Sequence, residues 1–121
     1  MTLSSLSPDD LPPQNLTEAD AALRRQLELS TRQHFFQACD SLAQSLLMES
    51  GWTICIVEVL TLVIHCPDMA CNWRILHHIA AIADSLAQFS PRAKIRVYPP
   101  SGLEPPFDMR VDERSVYRDQ P

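Results

Sequence analysis

The stretch Trp52-Thr53-Ile54-Cys55-Ile56-Val57-Glu58-Val59-Leu60-Thr61-Leu62-Val63-Ile64-His65 decides the fold. Eight of its fourteen residues are β-branched (Thr53, Ile54, Ile56, Val57, Val59, Thr61, Val63, Ile64), and their stiff χ1 favours a pleated strand over a helix. The apolar run is nearly continuous, so both faces of the strand are expected to be covered, as at the centre of a sheet. Its one charge, Glu58, then needs a paired cation, an edge position or a neutral carboxyl. A hairpin made without the usual turn residues is the other reading of the same stretch.

Downstream, Pro67-Asp68 reads as a stop followed by a new helix cap. From Trp73 the residues Ile75, Ile79, Ile82, Leu86 and Phe89 recur at four, three, four and three, which predicts one amphipathic helix ending at Ser90-Pro91. Ile95 and Val97 then alternate with Lys94, Arg96 and Tyr98 as a half-exposed strand. After Pro99-Pro100-Ser101-Gly102 and Pro105-Pro106, Phe107, Met109 and Val111 alternate with Asp108, Arg110 and Asp112 as another. Antiparallel pairing would bring Asp108 and Asp112 opposite Lys94 and Arg96.

Upstream, Thr17-Glu18-Ala19-Asp20 opens a helix whose apolar face carries Leu23, Leu27, Phe35, Ala38, Leu42 and Leu46 toward Glu49. The capping-box pattern Ser30-Thr31-Arg32-Gln33 inside this run predicts a break or kink after Leu29, and Gly51 is expected to end the helix in a left-handed conformation. The summed pattern is α+β or small α/β. It comprises an N-terminal helix or helix pair, then β-α-β-β forming a mixed sheet of three or four strands. Residues 1–15, with Pro8, Pro12 and Pro13 and few apolar groups, read as a disordered acidic arm, 16–114 as a single globular domain and 115–121 as a flexible tail.

Ten prolines stand against two glycines, which excludes collagen-like and Gly-rich linker sequences and leaves no phosphate-cradling G-x-x-x-x-G-K-[ST] or G-x-G-x-x-G. The N-terminal segment has no basic stretch followed by an apolar one, so a cytoplasmic location is expected. The longest apolar run, 54–64, is too short for the roughly 18 to 20 residues of a membrane-spanning helix. In a reducing compartment Cys39, Cys55, Cys66 and Cys71 should be thiols. A formal net charge of -5 argues against nucleic acid as a partner. The late cluster Arg92, Lys94, Arg96, Arg110, Arg114 and Arg118 is interleaved with Glu104, Asp108, Asp112, Glu113 and Asp119, so a salt-bridged sheet face is expected.

His65, Cys66, Cys71, His77 and His78 are the one local group with zinc-ligand chemistry, but no second Cys pair or His-x3-His completes a four-ligand site. No metal and no cofactor is therefore expected, and the cysteines are read as small core hydrophobes, Cys39 and Cys55 on apolar faces. Cys71 near a helix start, with His65 or His77 as base, is a thiolate candidate without a close-approach loop beside it. Phe35, Phe36, Trp52 and Phe89 are expected in the core. The function these features favour is a small non-catalytic protein-interaction module: an adaptor, assembly factor or regulatory subunit. It would form a homodimer through the N-terminal helix, with Trp73, Tyr98, Phe107, Arg96, Arg110 and Tyr117 as partner-binding residues. The alternatives are a small enzyme or thiol or zinc protein using Glu58, His65 and Cys71 in a cleft, and nucleic-acid binding through the Arg-rich C-terminal sheet face.

Overall fold

The computed structural model describes residues 13–100, 102 and 104–118. Chain order runs α1 (Pro13–Ala38), α2 (Ser41–Met48), β1 (Gly51–Ile56), β2 (Leu60–His65), α3 (Met69–His77), α4 (Ile79–Ala87), β3 (Lys94–Tyr98), β4 (Phe107–Arg110), a 3₁₀ turn (Val111–Glu113) and α5 (Arg114–Arg118). The strands form one mixed sheet in the order β1-β2-β3-β4. β1 pairs antiparallel with β2, β2 parallel with β3 and β3 antiparallel with β4. This is the α+β architecture expected from the sequence.

Trp52–His65 is the hairpin rather than one strand. Residues 57–59 form the turn, and Ile56 lies opposite Leu60. The turn places Glu58 in solvent, where its carboxylate keeps the water that a strand interior would strip at a cost of several kcal/mol. β2 alone takes the central position.

One face of the sheet is covered. Ile54, Leu62, Ile64, Ile95, Val97 and Met109 lie buried beneath Phe35, Leu46, Leu47, Ile75, Ile79, Ile82 and Leu86. The four-three-four spacing of Ile75, Ile79, Ile82 and Leu86 survives as a buried seam, but it spans two helices. The joint is His78 (φ -109°, ψ 20°), whose amide donates to the carbonyls of Arg74 and Ile75, both at 3.2 Å. Phe89, expected in the core, sits at its margin, 38% exposed with its ring 6.3 Å from that of Phe35. Phe36 and Trp52 are half-buried.

The first helix begins at Pro13, whose missing amide hydrogen costs nothing at a helix start. It then runs through Ser30 and Thr31 without the expected break. Phe35 and Phe36 both lie against Trp52, each with ring centroids at 5.8 Å, and the Arg32 guanidinium sits 4.1 Å over the same indole. One turn or more earlier, Glu28 Oε2 accepts the Ile56 amide at 2.7 Å. A continuous helix is what lets Glu28 and Phe35 reach opposite ends of β1. The break falls at Cys39-Asp40, where Asp40 caps α2 by accepting the Ala43 amide at 2.8 Å. The stripe read as a single face is consequently divided: Phe35 and Leu46 are buried, whereas Leu23, Leu27 and Leu42 are exposed. Gly51 does not end a helix but opens β1, and among the described residues positive φ occurs only at Gly102 (71°).

Arg96 and Asp108 pair across β3 and β4 as expected, with Nε–Oδ1 at 2.6 Å and Nη2–Oδ2 at 3.2 Å. Asp112 does not face the β3 cations. Val111 leaves the strand for the 3₁₀ turn after donating its amide to Ala93, so Arg110 lies opposite Lys94 and takes Asp112 at 3.1 Å. Of the residues read as a tail, 115–118 belong to α5 and the remainder lie outside the described residues, as does most of the N-terminal arm. Among the described residues no helix is long and apolar enough to cross a membrane.

Two substitutions test this account by urea denaturation. Phe35→Ala should cost about 3 to 5 kcal/mol through the cavity it leaves, and Asp40→Ala about 1 kcal/mol through the lost cap. An Asp40→Ala protein as stable as the wild type would show that the α1–α2 break is set by something else.

Candidate interaction site

The six residues expected to bind a partner fall on two surfaces. Trp73, Phe107 and Tyr117 come together around a groove of about 540 Å³, completed by Arg74, Leu76, His77, His78 and Ile79. The phase of α3 is fixed at its start, where Asp68 accepts the Cys71 amide at 2.8 Å. With Cys71, Asn72 and Ile75 thereby turned inward, Trp73 and His77 project outward, and Trp73 is 68% exposed. Phe107 opens β4 and meets Tyr117 of α5 edge to face, centroids 5.4 Å apart and planes at 84°. The His77 and His78 rings meet at 5.1 Å in the same geometry. Arg74 is held by Glu49 at 2.7 Å. Among the described residues no carboxylate lines the groove. The sequence marks His77 and His78 only as zinc-ligand candidates and does not mark Leu76 as a site residue; the signal available was their position three to five residues after Trp73, across the end of α3 and the His78 joint.

Arg96, Tyr98 and Arg110 lie elsewhere, on the sheet face that none of the described helices covers, where they border a broader concavity of about 630 Å³ with Thr61, Val63 and Lys94. Tyr98 stacks on His65, with centroids 4.7 Å apart and planes at 4°. The Tyr98 hydroxyl accepts from Arg96 at 3.4 Å. The two bonds to Asp108 hold the Arg96 guanidinium above its ordinary pKa. Although this concavity is the larger, Arg96 and Arg110 already have acidic partners within the chain. Its chemistry is that of a satisfied polar surface, whereas the groove presents unsatisfied apolar area.

Glu58, His65 and Cys71 are not brought together. Glu58 occupies the β1–β2 turn, His65 ends β2 on the uncovered face, and Cys71 is buried at the start of α3. Cys66 and Cys71 share a hydrogen bond between their thiols. Burial first, and then the neighbouring Cys71, push Cys66 up to about 12. Burial likewise raises Cys71, overriding the hydrogen bond from Cys66 and the nearby Arg74 charge, so the thiolate expected from the helix start is disfavoured. Cys39 is raised for the same reason. Cys55 is not on a core face but half-buried on the uncovered side of the sheet. Among the described residues, no three His, Cys, Asp or Glu side chains are placed to hold a metal ion.

Burial of Cys66 makes alkaline stability a readout. Its folded value of about 12 lies above the thiol's ordinary value of 9.0, so the thiol's contribution is complete below pH 9 and is lost as pH rises from 9 toward 12. Cys66→Ala should flatten the decline of Tm across that window, and an unchanged slope would count against the assignment. In the native protein at neutral pH, maleimide should label Cys55 well ahead of Cys39, Cys66 and Cys71. No family model, curated protein or solved structure matches the chain.

Proposed function

We propose that the protein is a small non-catalytic interaction module, an adaptor, assembly factor or regulatory subunit, that docks a protein partner in the groove between α3, β4 and α5. The observation that carries this reading is Trp73, a large aromatic side chain 68% exposed at the edge of an apolar concavity. Exposing an indole to water forgoes roughly 2 kcal/mol or more of burial free energy, a cost that a partner's apolar side chain recovers. Trp, Tyr and Arg are also the residue types that dominate binding hot spots, and Trp73, Tyr117 and Arg74 supply one of each. The Arg74–Glu49 and Phe107–Tyr117 contacts restrain the groove before any partner arrives, which lowers the ordering cost of docking.

A second reading has an observation of its own. The His65–Tyr98 stack lies on an uncovered sheet face beside Lys94 and Arg96, an arrangement suited to stacking a nucleic-acid base. The acids on the same face and the overall charge of -5 weigh against it.

Quantitative affinity purification from the native host, comparing wild type with Trp73→Ala, separates the two. A partner docked in the groove should bind the variant at least about 30-fold more weakly, with Tm unchanged because the indole is not in the core. Equal recovery by both proteins would exclude the groove. Oligonucleotide binding that falls steeply between low and moderate salt, and is lost in Tyr98→Ala, would favour the sheet face.

A further inference from the structure

Building on the groove reading above, we infer that the segment seated between α3, β4 and α5 is a short acidic stretch of the partner, an apolar side chain flanked by carboxylates. The polar side chains of the lining are donors. Trp73 and Arg74 can only donate, and His77, His78 and Tyr117 each bring at least one N–H or O–H. Asp, Glu, Asn and Gln, which would supply carboxylate or amide acceptors, are absent from the described lining residues. Among the described residues the side chains of Trp73, His77, His78 and Tyr117 make no hydrogen bond. Water satisfies these donors in the free protein. A partner that displaces this water must bring acceptors, because a donor left buried and unpaired costs more than a typical hydrogen bond returns.

Charge points the same way. The chain has 15 Asp and Glu against 10 Lys and Arg, yet its described groove lining holds Arg74 and no acid. Exposed charges are screened over about 8 Å at physiological salt, so a bound segment meets this lining rather than the overall charge of -5. Glu49 engages Arg74 through Nη2 at 2.7 Å, and both side chains are about half exposed. A guanidinium has five N–H donors in a planar fork, so the rest of the fork is open to a second carboxylate. Arg96, by contrast, gives two donors to Asp108 and a third to Tyr98.

The size of the groove sets the form of the ligand. About 540 Å³ is the volume of a small-molecule pocket, room for a few side chains of a linear segment and not for the face of a folded domain. Trp73 and His77 are one turn apart on α3. An apolar side chain against the indole therefore brings its neighbouring carboxylates within reach of Arg74 and His77. A nucleic-acid strand would supply acceptors but not the aliphatic group that Trp73, Leu76 and Phe107 fit.

The test is to pan a phage library of random peptides on the full chain and to discard those that also bind Trp73→Ala. The remaining peptides should be enriched in Asp and Glu around a Leu, Ile or Phe anchor. The most enriched peptide, synthesised with a fluorescein label, is then titrated into two variants. Arg74→Gln should bind it about tenfold more weakly. Glu49→Gln should bind it several-fold more tightly, because the amide oxygen still accepts the Arg74 hydrogen bond but no longer competes as a charge. A purely structural role for the Arg74–Glu49 pair would weaken binding in both. Groove-dependent peptides that are neutral or basic, or a Glu49→Gln protein that binds no more tightly, overturn the inference and leave the groove in place. Displacement of the peptide by oligothymidylate assigns the acceptors to phosphates and also overturns it. If no peptide depends on Trp73, the groove reading itself fails.

Discussion

Ile82 and Leu86 of α4, with Phe35 of α1, are fully buried against Leu62, Ile64, Ile95 and Val97 of the sheet, and the placement of every other element follows from that contact. Each such side chain contributes roughly 1.5 to 3 kcal/mol on leaving water. A two-layer domain of this size has no second core to compensate for its loss. α3 is positioned because its seam residue Ile75 continues the line of α4 across the His78 joint. α5 is positioned because the 3₁₀ turn before it buries Val111 and ties its amide to Ala93. The groove between α3, β4 and α5 is the gap left where those elements reach past the edge of the layer.

Coverage of a single sheet face leaves two edges and one open face to be managed. On β1 the edge is closed by a helix: Ile54 is 2% exposed, and Glu28 takes the last outward amide. On β4 the strand is only four residues long, follows Pro105-Pro106, bears Asp108 and Arg110, and has its Arg110 amide bonded to Glu113 at 2.9 Å. These are the devices that keep exposed edges from recruiting a foreign strand.

The sequence is most legible where a periodicity continues through several buried positions. The seam of Ile75, Ile79, Ile82 and Leu86, and the alternations around Ile95 and Met109, need only local geometry to be read. Two features were illegible for a common reason. Nothing between Trp52 and His65 marks a turn, and the hairpin is chosen by the solvation of Glu58 and by the pairing of two apolar strands distant from any local signal. The capping pattern at Ser30 was overridden because contacts to Trp52 and Ile56, twenty residues away from Arg32 and twenty-eight from Glu28, reward an unbroken helix. At the candidate site the aromatic types were visible. What composition could not show is that Trp73, Phe107 and Tyr117 converge while Arg96, Tyr98 and Arg110 occupy the other face.

That division of the expected residues has an energetic consequence. Docking on the uncovered sheet face would strip water from Arg96, Asp108, Arg110 and Asp112, whose pairings are already complete, so new contacts there largely exchange one set of polar bonds for another. Docking in the groove removes apolar surface around Trp73 from water, and no carboxylate is among the described residues of its lining. Affinity should therefore reside in the groove, and the charged sheet face is better suited to orienting a partner or rejecting a mismatched one.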